Sequence, residues 1–103
     1  MLDEAEFLRR RSDGLDQELF LEDETLKRAF VRSLEIIGEA AKMVPDAVRV
    51  RHPDVEWRAI AGMRDKLIHA YIEVDYYIVW EVVTSKIPAL VGSIERILTD
   101  EDL

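Results

Sequence analysis

The residues with the most informative chemistry form a short run near the centre of the chain, from Arg64 to Tyr71. Arg64 is a permanent cation whose guanidinium group binds phosphate oxygens through paired hydrogen bonds. His69 can take or give a proton near neutral pH. Tyr71 offers a hydroxyl group and an aromatic face. This combination suits the handling of a phosphodiester, with Asp65 and Lys66 as candidate supporting residues.

Each of these residues also has a purely structural explanation. His69 can fill a surface or core position, or pair with Asp65 four residues earlier on a helix. Arg64 can form a salt bridge with an acid such as Glu35, and Tyr71 can pack in the core. The residue types alone leave the chemical and the structural explanations open.

Helical geometry constrains how the three side chains can meet. Arg64 and Tyr71 are seven residues apart, so on a regular helix they share a face, about 10 Å apart along the axis. His69 would be rotated from Arg64 by roughly 140°. Either the helix unwinds near Ala70, or a second copy of the chain completes the site. We favour the second copy, because a two-fold dimer brings two copies of Arg64 and His69 to one cleft.

The sequence offers little for other chemistries. It has no cysteine, which excludes disulfides, thiolate metal sites and cysteine nucleophiles. Its two histidines stand too far apart for a His-x-x-x-His metal motif, and His52 beside Pro53 is expected to be a loop residue. No glycine-rich phosphate loop or serine nucleophile motif is present. We therefore expect neither a metal nor a cofactor.

Charge is unevenly distributed along the 103 residues, whose net charge of −8 argues against general nucleic-acid binding. Between Arg49 and His69 there are five basic and three acidic residues, whereas the remainder holds nine basic and nineteen acidic residues. Such a local positive excess can also arise by chance in a short window. The first residues lack a signal-peptide profile, and no apolar run approaches the roughly 18 residues of a membrane span. We expect a cytoplasmic protein without a membrane partner.

The apolar pattern predicts an all-α fold, a small antiparallel four-helix bundle with a short extra helical turn, in a single domain over residues 1–103. Asp75 is the expected N-cap of the fourth helix, and Pro88 should bend that helix. An acidic tail of about 99–103 is expected to be disordered. The four predicted helices span Asp3–Arg11, about Thr25–Met43, Glu56–Tyr71 and Tyr76–Leu98, and the short turn spans Asp46–Arg51.

The second predicted helix is apolar on two faces. Its main stripe contains Leu26, Phe30, Leu34, Ile37, Ala41 and Val44, and its second face contains Ala29, Ile36, Ala40 and Met43. A helix with two apolar faces must bury both. The second face is covered either by a partner subunit or by other parts of the same chain, and the pattern does not distinguish between the two. Gly38 is tolerable in this helix if it permits the close approach of another helix.

Three blocks of the sequence together resemble a known family. The central segment Arg64-x4-His69-x-Tyr71 resembles the Arg-x4-His-x-Tyr signature of HepT-like toxins, which belong to the HEPN superfamily of small helical proteins. The flanking blocks match in the same order and spacing, over about Glu6 to Leu98. They are Arg32-Ser33-Leu34-Glu35-Ile36-Ile37-Gly38-Glu39-Ala40-Ala41, Trp57-Arg58-x-Ile60-Ala61-Gly62-Met63-Arg64-Asp65 and Val79-Trp80-Glu81-Val82-Val83.

The resemblance implies a metal-independent ribonuclease toxin that acts on RNA as a homodimer. By position, Arg64 and His69 would be catalytic. The resemblance also implies a partner, a minimal nucleotidyltransferase antitoxin that transfers AMP to Tyr71. The alternative is a non-catalytic helical module that docks a nucleotidyltransferase, a nucleotide or RNA without cutting it.

Overall fold

The computed structural model describes residues 1–69 and 73–101, without the side chains of Arg64, Ile68 and His69. This part of the chain is all-α, as predicted, apart from one pair of two-residue strands. In chain order the elements are α1 (Leu2–Ser12), α2 (Gln17–Glu22), α3 (Glu24–Lys42), α4 (Asp46–Arg51), α5 (Trp57–Ala61), α6 (Met63–Leu67), β1 (Ile68–His69), β2 (Glu73–Val74), α7 (Tyr76–Glu81), a π-helical turn (Val82–Lys86) and α8 (Ile87–Asp100).

The helices pack as a flat bundle. α1 contacts α3 and α8, and α3 also contacts α5. The Cα atoms extend over 41 × 31 × 18 Å. Because a helix with its side chains is about 10–12 Å across, the shortest dimension holds only about two layers. A two-layer bundle leaves the outer face of each helix open.

α3 forms the spine of this bundle. Its N-terminus is capped by Asp23, whose carboxylate accepts a hydrogen bond of 2.9 Å from the Leu26 amide. The predicted main stripe is buried from Leu26 to Ala41. The second face is covered only in part by the described residues, since Ala29, Ile36 and Ala40 are half-buried and Met43 is 82% exposed. The burial of this face therefore does not decide between a partner subunit and coverage within one chain.

The short helix α2 was not predicted, because residues 15–21 carry no clear helical period. Asp16 caps it through a 2.8 Å hydrogen bond from the Leu19 amide. Phe20 is completely buried, with its ring centroid 5.0 Å from that of Phe30 and 5.3 Å from that of Trp80. This aromatic cluster fixes α2 against the core.

Pro88 is accommodated by a π-helical turn. A proline cannot donate its backbone nitrogen to the carbonyl four residues earlier, here that of Thr84. The chain widens into the π turn Val82–Lys86 directly before it, so Pro88 stands in the first turn of α8, where its missing donor costs least. The Thr84 hydroxyl donates to the Trp80 carbonyl at 2.8 Å. At the position of the predicted bend, the structure therefore shows a local change in helix type.

The continuous helical stretch Tyr76–Asp100 corrects the prediction about apolar runs. It is long enough to cross a membrane, and its mean hydropathy reaches 1.2 over 18 residues. One face of this stretch is buried in the bundle, including Val79, Val83 and Ile87. Core helices of globular domains meet the same two criteria, so this single stretch is weak evidence for a membrane span.

The predicted disordered tail of about 99–103 overlaps the end of α8, which includes Thr99 and Asp100. Glu101 follows, and its side chain is only 11% exposed because it pairs with Arg51 and His52. Asp102 and Leu103 lie outside the described residues.

Candidate functional site

The segment that carries the predicted site is held against α3 through Gly38. A Cβ atom built on Gly38 would lie 3.1 Å from the carbonyl oxygen of Ile60 and 3.7 Å from that of Ala61. Both oxygens are backbone atoms of α5 and cannot rotate away. The predicted close approach of another helix at Gly38 is thus confirmed, and that helix belongs to the same chain.

This contact predicts opposite effects for two glycine substitutions. Gly92→Ala in α8 should raise the free energy of unfolding by about 0.5–1 kcal/mol, because glycine disfavours helices and nothing lies within 4 Å of the added Cβ. Gly38→Ala should lower it by about 1–3 kcal/mol, because the added methyl group forces α5 away from α3. Urea denaturation measures both. Equal stabilisation by the two substitutions would contradict the close contact.

Gly62 separates the site segment into two short helices. The α5 helix ends at Ala61, and α6 begins at Met63, with the Asp65 amide bonded to the Gly62 carbonyl at 3.1 Å. Met63 and Leu67, one turn apart, are both buried and anchor α6. Asp65 and Lys66 lie between these anchors and are exposed.

The predicted helix from Glu56 to Tyr71 is wrong at its C-terminal end. The helix ends at Leu67, whose carbonyl accepts a 3.0 Å hydrogen bond from the amide of Asp75. In a continued helix that carbonyl would accept from residue 71. His69 instead lies in β1, which pairs antiparallel with β2 so that His69 is opposite Glu73.

This correction changes the geometric argument for the site. A rotation of roughly 140° between Arg64 and His69 applies only to a continuous helix, and these two residues lie in different elements. The structure therefore shows the first alternative, because the helical structure has ended by residue 68, before Ala70. Because the segment is not one straight helix, helical geometry no longer requires a second copy of the chain to complete the site. Tyr71 lies outside the described residues, as do the side chains of Arg64 and His69, so their meeting stays a prediction.

Asp75 fixes the start of the next helix, as predicted. Its carboxylate accepts hydrogen bonds from the amides of Tyr77 at 3.1 Å and Ile78 at 3.2 Å. Its own amide is bonded to the carbonyl of Leu67, as described above. Asp75 therefore both caps α7 and joins it to the end of α6. This hydrogen bond fixes the two ends of the stretch 68–74, which includes His69 and Tyr71.

A second cluster, which the sequence did not suggest, supports α5 from the other side. His52 is buried, and its Nε2 lies 3.0 Å from Oε2 of Glu101. The Arg51 guanidinium group pairs with both carboxylate oxygens of Glu101. The indole nitrogen of Trp57, the first residue of α5, donates to the His52 carbonyl at 3.0 Å. His52 is thus a structural residue that links α8 to the start of α5.

The pairing gives Glu101 a marked electrostatic role. The Arg51 and His52 side chains lower the pKa of Glu101 from 4.5 to about 2. A carboxylate with a lowered folded-state pKa stabilises the fold above its unfolded-state value, and this stability is lost as the pH falls toward the folded-state value. Glu101→Gln should therefore be less stable than the unsubstituted protein at neutral pH, and the difference should shrink between about pH 4.5 and pH 2.

Urea denaturation at a series of pH values tests this expectation. Glu95→Gln on the same helix is the matched control, because Glu95 is exposed and its side chain forms no ion pair with a described residue. For Glu95→Gln we expect little dependence of the difference on pH. A constant gap between the unsubstituted protein and Glu101→Gln from pH 7 to pH 2 would contradict the assignment.

Ion pairs neutralise part of the charge in the predicted positive stretch between Arg49 and His69. Arg49 pairs with Asp46, Arg51 with Glu101, and Asp54 with Arg96. Of the other basic residues in this stretch, Arg58 and Lys66 have described side chains, and neither forms an ion pair with a described residue. Arg58 lies in α5 and Lys66 lies in α6.

Beside these charges lies an open groove of about 520 Å³. Its walls combine an aromatic ring, two cations, one acid and two small residues. They are Trp57, Arg58, Lys66, Glu56, Ala59 and Gly62. Because Gly62 and Lys66 flank Arg64 in sequence, the groove adjoins the predicted catalytic segment.

This chain is similar to known proteins. A family model described as Ribonuclease HepT-like matches residues 1–97. A protein of Caldanaerobacter subterraneus subsp. tengcongensis, provisionally named as an RNase, is 52% identical over 98% of this chain and 90% of its own length.

Two archaeal proteins are also similar. One from Thermococcus cleftensis, provisionally named ribonuclease HepT, is 48% identical over 76% of this chain and 71% of its own length. One from Methanocaldococcus jannaschii, provisionally named as an RNase, is 43% identical over 84% of this chain and 74% of its own length. No solved structure matches the chain.

Proposed function

This chain belongs to the HepT-like ribonuclease family, and from that membership we propose that it is an RNA-cleaving toxin whose catalytic residues are Arg64 and His69. The observation that carries the proposal is the family match over residues 1–97, which includes the whole central motif. The relatives with provisional ribonuclease names support the same activity.

The proposed reaction uses the ribose 2′-hydroxyl as nucleophile. His69 removes its proton, and the 2′-oxygen then bonds to the adjacent phosphorus while the bond from phosphorus to the 5′-oxygen breaks. The leaving 5′-oxygen takes a proton from the imidazole of the second copy. Arg64 stabilises the negative charge that builds on the phosphate oxygens. The products are a 2′,3′-cyclic phosphate and a 5′-hydroxyl, and no step requires a metal ion.

A cleavage assay with defined RNA tests the activity. Single-stranded RNA incubated with the purified protein in excess chelator should be cut, and the new ends should be a cyclic phosphate and a 5′-hydroxyl. Loss of activity in chelator that returns on adding Mg²⁺ would overturn the metal-independent mechanism. Intact RNA under both conditions would favour the alternative of a non-catalytic binding module.

The proposed active form is a homodimer. Since the central helix ends early, support for a second copy now comes from the second face of α3, which the described residues cover only in part. Met43 at the end of that face is 82% exposed, and the bundle is only two layers thick. Covering an apolar face by a second copy would remove it from water.

Light scattering should give a mass twice that of the 12.0 kDa chain. Met43→Glu should shift this mass toward the monomer, because a charge would be buried in the interface. Leu19→Glu is the matched control, since Leu19 is also an exposed apolar residue but lies on α2. A monomer at micromolar concentration would contradict the dimer.

The proposal includes a partner and a place of action. A nucleotidyltransferase antitoxin in the cytoplasm would transfer AMP from ATP to Tyr71. The phenolic oxygen would attack the α-phosphorus, pyrophosphate would leave and the phenolic proton would pass to solvent. The resulting phosphodiester would add bulk and negative charge beside the RNA site.

A further inference from the structure

We propose that the groove beside Gly62 holds a nucleotide of single-stranded RNA that flanks the cut, with Trp57 against the base and Arg58 and Lys66 on the phosphates. This proposal rests on the proposed function and extends it from the reacting groups to the binding of the substrate chain. The groove volume of about 520 Å³ lies within the range of small-molecule sites.

The two cations of the groove are available for a ligand. Arg58 and Lys66 are exposed, and neither forms an ion pair or a side-chain hydrogen bond with another described residue. Arg51 and Arg96, which lie on neighbouring parts of the fold, are both paired with carboxylates. A phosphate in the groove would therefore meet two positive groups that are not neutralised by the described side chains.

Trp57 supplies the second element of nucleotide recognition. Its indole nitrogen is already bonded to the His52 carbonyl, which holds the ring in place. Because this donor is occupied, Trp57 offers the groove an aromatic surface rather than a hydrogen bond. Base stacking on such a surface tolerates any base, as single-stranded nucleic-acid sites require.

The location of the groove links it to the reaction. Gly62 and Lys66 are one helical turn apart, and Arg64 lies between them in sequence. Glu56 lines the groove as well and would repel a phosphate placed next to it. The phosphates are therefore expected near Arg58 and Lys66, away from Glu56.

The binding test uses His69→Ala protein, which prevents cleavage, and a short fluorescein-labelled single-stranded RNA. Anisotropy is followed between about 50 and 200 mM salt, where each phosphate contact to a single strand contributes a slope of about −0.7 in log K against log salt. Adding Arg58→Gln and Lys66→Gln should weaken binding about tenfold and reduce the magnitude of the slope by about 1.4. Adding Glu56→Gln should tighten binding.

Three further substitutions separate the effects of charge and stacking from damage to the fold. Arg28→Gln removes an exposed cation about 15 Å along α3 from Gly38 and should leave affinity within about twofold. Trp57→Leu should weaken binding about tenfold without changing the salt slope, whereas Trp57→Phe, which keeps an aromatic face, should stay within about threefold of the starting affinity. If the double variant behaves like Arg28→Gln, the groove is not the RNA site.

The same nucleotide chemistry could come from a free nucleotide, and competition distinguishes the two sources. AMP at the concentration of the RNA should not displace it, because a mononucleotide makes only one phosphate contact. Displacement of RNA by equimolar AMP would overturn the proposal in favour of a free-nucleotide site. If the unsubstituted protein does not cleave RNA but the double variant still shows the reduced salt slope, the proposed ribonuclease activity is overturned. RNA binding in the groove then remains supported.

Discussion

Replacing His69 with alanine should lower the rate of RNA cleavage by about 10²–10⁴-fold, the usual contribution of a general acid or base. The effect should fall at the upper end of this range, because in a homodimer the substitution removes both imidazoles from the cleft. Cleavage of labelled single-stranded RNA in chelator, at saturating RNA concentration, gives kcat directly. Binding of RNA by His69→Ala should persist, since Arg58 and Lys66 remain.

The only other histidine of the chain provides the matched control. His52 is buried against Glu101 and supports the start of α5 through its carbonyl group. His52→Ala should therefore lower thermal stability while cleavage by the folded protein stays within a few fold. If His69→Ala and His52→Ala both abolish cleavage while the protein stays folded, the loss of activity cannot be assigned to the imidazole of His69. If His69→Ala cleaves as fast as the unsubstituted protein, the activity does not come from this motif.

Addition of AMP to Tyr71 should suppress cleavage by at least about a hundredfold. Tyr71 is two residues from His69 in sequence, and a misplacement of about 1 Å at a reacting group already costs about this much. The added phosphodiester also places a negative charge where the RNA phosphate must bind. Incubation with the cognate nucleotidyltransferase and ATP, followed by intact-mass measurement and the cleavage assay, tests the expectation.

Tyr77→Phe is the matched control for Tyr71→Phe in this experiment, because Tyr77 is 65% exposed and therefore accessible to an enzyme. Tyr71→Phe should gain no AMP and should keep its cleavage activity in the presence of the nucleotidyltransferase and ATP. Tyr77→Phe should be modified and inhibited like the unsubstituted protein. Modification of Tyr71→Phe would show that the acceptor lies elsewhere.

The structure gives these predictions a physical frame, since it fixes the elements on both sides of the predicted catalytic segment. On one side, Gly38 lets α5 approach α3, and Trp57 is tied to the His52 carbonyl. On the other side, Asp75 binds the end of α6 and caps α7. Fixed flanking elements reduce the cost of ordering the reacting groups when RNA binds.

Helical structure and capping that depend on a local residue pattern could be predicted from the amino-acid sequence. The period of α3 predicted its buried stripe, and the position of Asp75 predicted its role as a cap. The all-α fold follows from the same patterns. The central motif and the three flanking blocks indicated the family, which the match over residues 1–97 confirms. The α3 stripe and the Asp75 cap depend on residues within a few helical turns of one another, whereas the family signal depends on the order and spacing of blocks between Arg32 and Val83.

Contacts between elements that are distant in sequence set the features that local patterns did not predict. The helix from α5 onward ends at Leu67 because the amide of Asp75, eight residues along the chain, takes the carbonyl that would continue it. α2 exists because Phe20 packs between Phe30 and Trp80. Glu101 is held against the bundle because Arg51, fifty residues earlier, pairs with its carboxylate. Local propensity cannot anticipate these outcomes, because in each case the partner comes from another element and its energy outweighs the preference of the segment itself.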